Sequence, residues 1–196
     1  MDLDQHVIEL FHSSIDTTMR TLDEQATRVS DCGILMAQCL LSENKILSCG
    51  EGVSAALVHI FCSQLLNRFE VERPGLPAIN LSADATTLTA LAGDGNFKDI
   101  FSKQIRALGQ SGDVLFVIAN GNSSSTTLQA IKAAHDRNMF VICLSDDASN
   151  VFSALLQPED IELSIPSNNR ARVTEAHLQI INYLSELIDQ QLFGSH

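Results

Sequence analysis

Apolar residues recur with helical spacing at the start of the chain, at Val7, Leu10, Phe11, Ile15, Met19 and Leu22. The spacing predicts a helix from Asp2 to about Ser30, then a second from roughly Cys32 to Leu41. The period then changes to short continuous apolar runs, which read as buried strands at Lys45–Gly50, Ala78–Ser82, Asp113–Ala119, Met139–Leu144 and Ile161–Ile165. Helical spacing returns between them. It starts at Ser54 (Leu57, Phe61, Leu65) and recurs over Thr86–Ala92, Phe97–Leu108, about Thr126–Arg137 and Val151–Leu156. A last amphipathic helix runs from Arg170 to about Gln191, apolar at Val173, Ala176, Ile180, Leu184, Leu187 and Ile188. Strands alternating with helices predict an α/β fold, a doubly wound five-stranded parallel sheet flanked by helices with a long N-terminal helix. No internal repeat or linker divides the chain, so residues 1–196 read as one domain: a helical segment over 1–42, then a sheet core and C-terminal helix over 43–196. The first helix carries more apolar surface than one sheet face needs. Part of the segment 1–42 is therefore expected to pack on another copy of the chain.

Composition narrows the function classes. At 196 residues, with 45% hydrophobic and 18% charged residues, the chain can bury a full core without staples. No apolar run approaches the roughly 18 residues that span a bilayer, and the acidic start MDLDQHVIEL lacks a signal peptide's basic flank. A cytoplasmic location and no membrane partner are expected. Five cysteines, odd in number and set in apolar segments without a CxxC, read as reduced core residues. The net charge of −12 and scattered basic residues argue against direct nucleic-acid binding.

Candidate chemistry lies in two turns. Glu51-Gly52-Val53-Ser54 follows the first strand and opens a helix at Ser54, which is read as its cap. Asn120-Gly121-Asn122-Ser123-Ser124-Ser125 does the same after the third. A small-residue turn between strand and helix aims free N–H groups and a helix dipole at an anion, although an ordinary βα connection has the same form. Two such turns at the carboxyl ends of parallel strands suggest a site for a phosphorylated small molecule.

Several stretches together resemble the sugar isomerase (SIS) domain family: Ser48-Cys49-Gly50-x-Gly52, Asn67-Arg68-Phe69 with Glu72-Arg73-Pro74-x-Leu76-Pro77-Ala78, Lys103-Gln104-x-Arg106-Ala107-Leu108-Gly109, and Gly112-Asp113-Val114-Leu115. The resemblance covers essentially the whole chain. The branch it points to holds the sedoheptulose 7-phosphate (phosphoheptose) isomerases and the DnaA initiator-associating (DiaA) proteins, and implies a homotetramer with sites near subunit interfaces. Its isomerases use a His and a Glu four apart on the helix after the first strand, and a Gln and a His eight apart on the final helix, to hold a metal and move protons between C1 and C2. The matching positions here are Ile60, Gln64, Thr174 and Asn182. None can act as a general base near neutral pH. His59 lies one residue, about 100° of helix, from the first position. His177 reads as structural, and His135 lies in an ordinary amphipathic helix and carries no signal.

The phosphate loops depart from the family as well. Glu51-Gly52-Val53 replaces Asn-Gly-Gly, and Ser145-Asp146-Asp147-Ala148-Ser149-Asn150 replaces a glycine-containing turn. The resemblance therefore implies a phosphosugar-like pocket of Glu51, Gly52, Ser54, Asp94, Asn120, Gly121, Ser123, Ser124 and Thr174, with no catalytic residues, no metal and no cofactor. The first expectation is a non-catalytic oligomer resembling the DnaA initiator-associating protein, docking on the replication initiator DnaA. Gln190-Gln191-Leu192-Phe193-Gly194, placed just past the final helix, supplies Leu192 and Phe193 as partner anchors, or folds back on its own core. The alternative is a sedoheptulose 7-phosphate isomerase or a protein that binds a sugar phosphate without turnover.

Overall fold

The structure, a computed structural model, describes residues 2–121, 124–146 and 151–194. It has the expected five-stranded parallel sheet, in the order β2-β1-β3-β4-β5. The strands are β1 (Ile46–Gly50), β2 (Ala78–Asn80), β3 (Val114–Ile118), β4 (Phe140–Asp146) and β5 (Ile161–Ile165). The helices are α1 (Leu3–Leu41), α2 (Val53–Leu66), α3 (Ala85–Gly93), α4 (Ser102–Leu108), α5 (Ser125–Asp136) and α6 (Arg170–Phe193). β1 and β3 are adjacent, and the order runs away from them in opposite directions, which opens a crevice at their carboxyl ends. The register aligns Gly50 with Ile118 and Ile118 with Leu144, so β1 and β3 end level beside it while β4 runs two residues further.

Both faces of the sheet are covered, which is why the strands read as unbroken apolar runs. Ile46, Val114, Phe116, Ile118, Ile142 and Leu144 join α1, α2 and α6 in one core. Leu47, Cys49, Leu115, Val117, Val141 and Cys143 alternate with them and meet α4 and α5 in the other. Asp113, fully buried at the start of β3, fastens the opposite edge. It accepts the Lys45 amide at 3.0 Å, the Lys45 ammonium at 2.7 Å and the Gln110 amide at 2.7 Å.

Three sequence expectations need correction. The first two helices are one helix of 39 residues. Gly33 within it is a point of close approach, since a Cβ there would lie 2.9 Å from that of Leu187 on α6. The helix expected over Phe97–Leu108 divides into a 3-10 turn at Phe97–Asp99 and α4, because Ile100 and Phe101 between them are both buried in the core. The short helix expected at Val151–Leu156 is a turn, held by Leu155 and Leu156 amides on the Phe152 carbonyl, with the Phe152 ring buried.

The first half of α1 leaves Leu3, Val7, Ile8, Leu10, Phe11, Ile15, Met19 and Leu22 exposed. A concavity of about 420 Å³ between α1 and α6 adjoins them, lined by Leu22, Val29, Ile180, Tyr183 and Leu187 among others. Among the described residues no helix is long and apolar enough to cross a membrane.

Candidate functional site

β1 delivers Glu51 to the crevice, and Gly52 turns the chain into α2 with φ of +56°, a conformation that costs an L side chain strain. Gly52, not Ser54, is therefore the cap residue of α2. Ser54 stands in the first turn, its amide donating to the Glu51 carbonyl at 3.0 Å. Its side chain is only 3% exposed and lines the crevice with no hydrogen-bond partner among the described residues. β3 delivers Asn120 and Gly121. Ser124 caps α5 by accepting the Thr127 amide, and its hydroxyl lies 2.5 Å from that of Thr126.

The third wall is the first turn of α6, capped by Asn169 accepting the Ala171 and Arg172 amides. Asn120 Nδ2 donates to Thr174 Oγ1 at 2.7 Å and to the Arg170 carbonyl at 3.0 Å, which spends that amide group as a tie. Its Oδ1 is buried with no partner among the described residues. Gly121 has φ of +98°, and a Cβ there would lie 2.9 Å from Arg170 Nη2. Glycine is what lets the guanidinium lie against the loop. The Gly121 amide donates to Asp146 Oδ2 at 2.7 Å.

These residues enclose about 460 Å³, bounded by Glu51, Gly52, Val53, Ser54, Asn120, Arg170, Ala171 and Thr174. A smaller recess of about 50 Å³ continues inward between Glu51, Ser54, Asn120, Ser124 and Thr127. The volume falls within the roughly 300–1,000 Å³ of small-ligand clefts. Glu51 and Arg170 are the ionisable groups among the described lining residues, and neither makes an ion pair there. Sequence reasoning missed Arg170. Its signal was the Asn-Arg start of the final helix, which carries meaning only once the topology brings that turn to the crevice.

The pocket inferred from sequence is gathered in part. Glu51, Gly52, Ser54, Asn120, Ser124 and Thr174 line the crevice or its recess, with Gly121 behind Arg170. Asp94 is exposed at the end of α3 and lines neither space. Ser123 and the loop 147–150 lie outside the described residues.

The four positions where the family's isomerases hold a metal do not fit one here. Ile60 offers no donor atom and is 37% exposed. Gln64 Nε2 donates to Asn182 Oδ1 at 2.9 Å, and Gln64 Oε1 accepts the Ser185 hydroxyl at 2.8 Å, so the amides clasp α2 to α6. The Thr174 hydroxyl accepts from Asn120 and donates to the Arg170 carbonyl at 2.8 Å. No group of three or more His, Cys, Asp or Glu among the described residues could hold a metal ion. Nor does His59 stand in. It is exposed toward the β2 edge, 3.4 Å from Asn80 Nδ2. His177 is wholly buried, with Nε2 3.2 Å from the Ser145 carbonyl, and burial pulls its pKa down to about 4. His135 ties α5 to the strand connection through Asp160, at 2.7 Å.

Leu192 and Phe193 belong to the last turn of α6, not to a tail beyond it. Leu192 packs against the core, and the Phe193 ring lies 5.9 Å beneath the Arg73 guanidinium. Arg73 is itself bound to Asp189 at 2.7 Å and to the Gln64 and Leu65 carbonyls.

Residues 10–146 match the family model for the SIS domain. The chain is 45% identical over 194 residues to a phosphoheptose isomerase of Alkalilimnicola ehrlichii, covering 99% of both chains. It is 46% identical over 195 residues to one of Chromohalobacter salexigens, covering 100% of this chain and 99% of the other. A solved phosphoheptose isomerase from Francisella tularensis superposes with a TM-score of 0.93 at 37% identity, over 97% of this chain and 100% of that one. These full-length likenesses overturn the first expectation, a non-catalytic protein docking on a replication initiator. That expectation leaned on the resemblance to an initiator-associating protein and on the substituted catalytic positions. The chain belongs to the SIS domain family, in its phosphoheptose isomerase branch.

Proposed function

We propose that this chain binds a sugar phosphate of the sedoheptulose 7-phosphate class in the crevice at the carboxyl ends of β1 and β3. The observation that carries the reading is the Arg170 guanidinium. It has no ion-pair partner among the described residues and lies against Gly121 at a cleft that the first turns of α2 and α5 also border. A cation and two helix N-termini facing one space suit an anionic group. The unpartnered Ser54 hydroxyl adds a hydrogen-bonding group inside. Five unpaired, buried cysteines support a cytoplasmic setting.

The second reading is sedoheptulose 7-phosphate isomerisation, favoured by the names of the full-length relatives. Isomerisation moves a proton from C1 to C2 and another between the two oxygens, so it needs a base beside those carbons. Ile60, Gln64, Thr174 and Asn182 cannot supply one. Glu51 is the carboxylate among the described lining residues, and the isomerase reading rests on it. Titration calorimetry with sedoheptulose 7-phosphate tests binding, and a coupled assay of heptose 7-phosphate formation tests turnover. Saturable binding without turnover supports the first reading. Turnover abolished by Glu51→Gln supports the second. Neither binding nor turnover would overturn both.

A further inference from the structure

Arg170 is a long side chain at the start of α6, and two successive residues that follow β3 hold it. Asn120 holds its backbone, donating from Nδ2 to the Arg170 carbonyl at 3.0 Å and to Thr174 Oγ1 at 2.7 Å. A carbonyl only accepts, so it fixes which end of the Asn120 amide faces α6. The Thr174 hydroxyl closes the triangle by donating to the same carbonyl at 2.8 Å. Thr174, at a position where the family's isomerases hold a metal, is thus spent on this tie. Gly121 holds the Arg170 side chain. A Cβ there would lie 2.9 Å from Nη2, 3.2 Å from Nε and 3.3 Å from Cζ, so the guanidinium rests against a bare Cα. The Gly121 amide is itself fixed on Asp146 Oδ2 at 2.7 Å.

The rest of α6 is secured elsewhere. About two turns beyond Thr174, Asn182 accepts from Gln64 of α2 at 2.9 Å. Arg172 Nη1 donates to the Leu10 carbonyl and the Ser14 hydroxyl of α1, and Arg172 does not line the crevice. On the crevice side, among the described residues, the first turn of α6 is held by Asn120. On the basis of the sugar-phosphate reading above, we infer that Asn120 is a positioning residue. Through the Arg170 carbonyl and Thr174 it sets the first turn of α6, and so keeps the Arg170 guanidinium over Gly121, at the space that the first turns of α2 and α5 border. Its remaining polar atom, Oδ1, is an acceptor and offers nothing to a phosphate, which also accepts. Asn120 therefore acts on an anion through Arg170, and loss of the tie weakens any anion that Arg170 holds, whatever else the ligand carries.

Calorimetric titration of the full-length protein with sedoheptulose 7-phosphate and with inorganic phosphate reads the effect. Asn120→Ala should weaken both ligands by the same factor, about three- to tenfold, because hydrogen bonds of ordinary strength hold the turn. Thr174→Val removes the other half of the tie with little change of shape. It should show the same pattern more weakly, and it carries the comparison if the alanine variant does not fold. In an Arg170→Ala background, Asn120→Ala should cost less than a further factor of about two, because no guanidinium remains to position. Hydrogen exchange of the unliganded protein gives a readout that needs no ligand. Asn120→Ala should speed exchange at the start of α6 and leave the stretch around Asn182 as in wild type. The positioning role is overturned if Asn120→Ala binds both ligands within about twofold of wild type. It is also overturned if only sedoheptulose 7-phosphate is weakened, or if the loss multiplies with that of Arg170→Ala, since both mark a direct ligand contact. If wild type binds neither ligand, the sugar-phosphate reading fails and hydrogen exchange alone decides the tie. Unchanged exchange at the start of α6 overturns the tie in either case.

Discussion

His177 should make the protein's stability fall with pH in a range where surface histidines have little effect. Its imidazole is fully buried on α6 behind the carboxyl end of β4, and its Nδ1 has no hydrogen-bond partner among the described residues. Desolvation is the largest influence and lowers the pKa from 6.5 to about 4, opposed by the Ser145 carbonyl and the nearby Asp146 charge. The ring is therefore neutral in the folded protein at pH 7. As pH falls below 6.5 the unfolded chain takes up a proton that the folded chain refuses, so stability is lost, and the loss is complete near pH 4. At roughly 1.4 kcal/mol per pH unit, that gap is worth about 3 kcal/mol, of which about 2 kcal/mol is lost by pH 5. Urea unfolding at pH 7, 6, 5 and 4.5 for wild type and His177→Gln measures it. Glutamine keeps a donor for the Ser145 carbonyl but does not titrate. Carboxylates elsewhere act on both proteins, so the difference between them isolates His177. Wild type should lose about 2 kcal/mol relative to the variant between pH 7 and pH 5. Parallel profiles would refute the reasoning.

Asp113→Ala should destabilise the fold by about 3–5 kcal/mol in urea unfolding, because it strands a half-buried Lys45 ammonium and two amides. Phe193→Ala should cost about 1 kcal/mol through its contact with Arg73, and leave sedoheptulose 7-phosphate affinity unchanged in calorimetry, since the ring does not line the crevice. The exposed apolar stripe of α1, with Phe11 67% and Ile15 58% exposed, is expected to be covered by other copies of the chain. Light scattering at micromolar concentration should give about four times the 21.3 kDa chain mass, reduced by Phe11→Asp with Ile15→Asp. A wild-type monomer would contradict it.

Much of the fold was legible because β1, β3 and β4 are buried on both faces and the long helices on one. Unbroken runs such as Val114–Ile118 and the spacing of α6 carry that directly. Boundaries were less legible where tertiary contacts decide them. The division read near Asp31 is absent, because the helix runs on unbroken along α6, with Gly33 against Leu187 far along the chain. The crevice was half legible. Glu51 and Asn120 sit in turns whose residue types announce a site, but Arg170 reaches it only through the topology. The substitutions at Gln64 and Asn182 could be seen in sequence, whereas their hydrogen bond to each other could not. For Phe193 the sequence left two readings open, a partner anchor or a residue folded back on the core, and only the structure sets Arg73 above its ring.

The most direct measurement is a crystal structure of the protein grown with sedoheptulose 7-phosphate. The account predicts the ligand in the crevice between β1, β3 and α6, within hydrogen-bond reach of Arg170 and Ser54. An empty crevice at saturating ligand, or the sugar phosphate bound elsewhere such as the groove between α1 and α6, would contradict it.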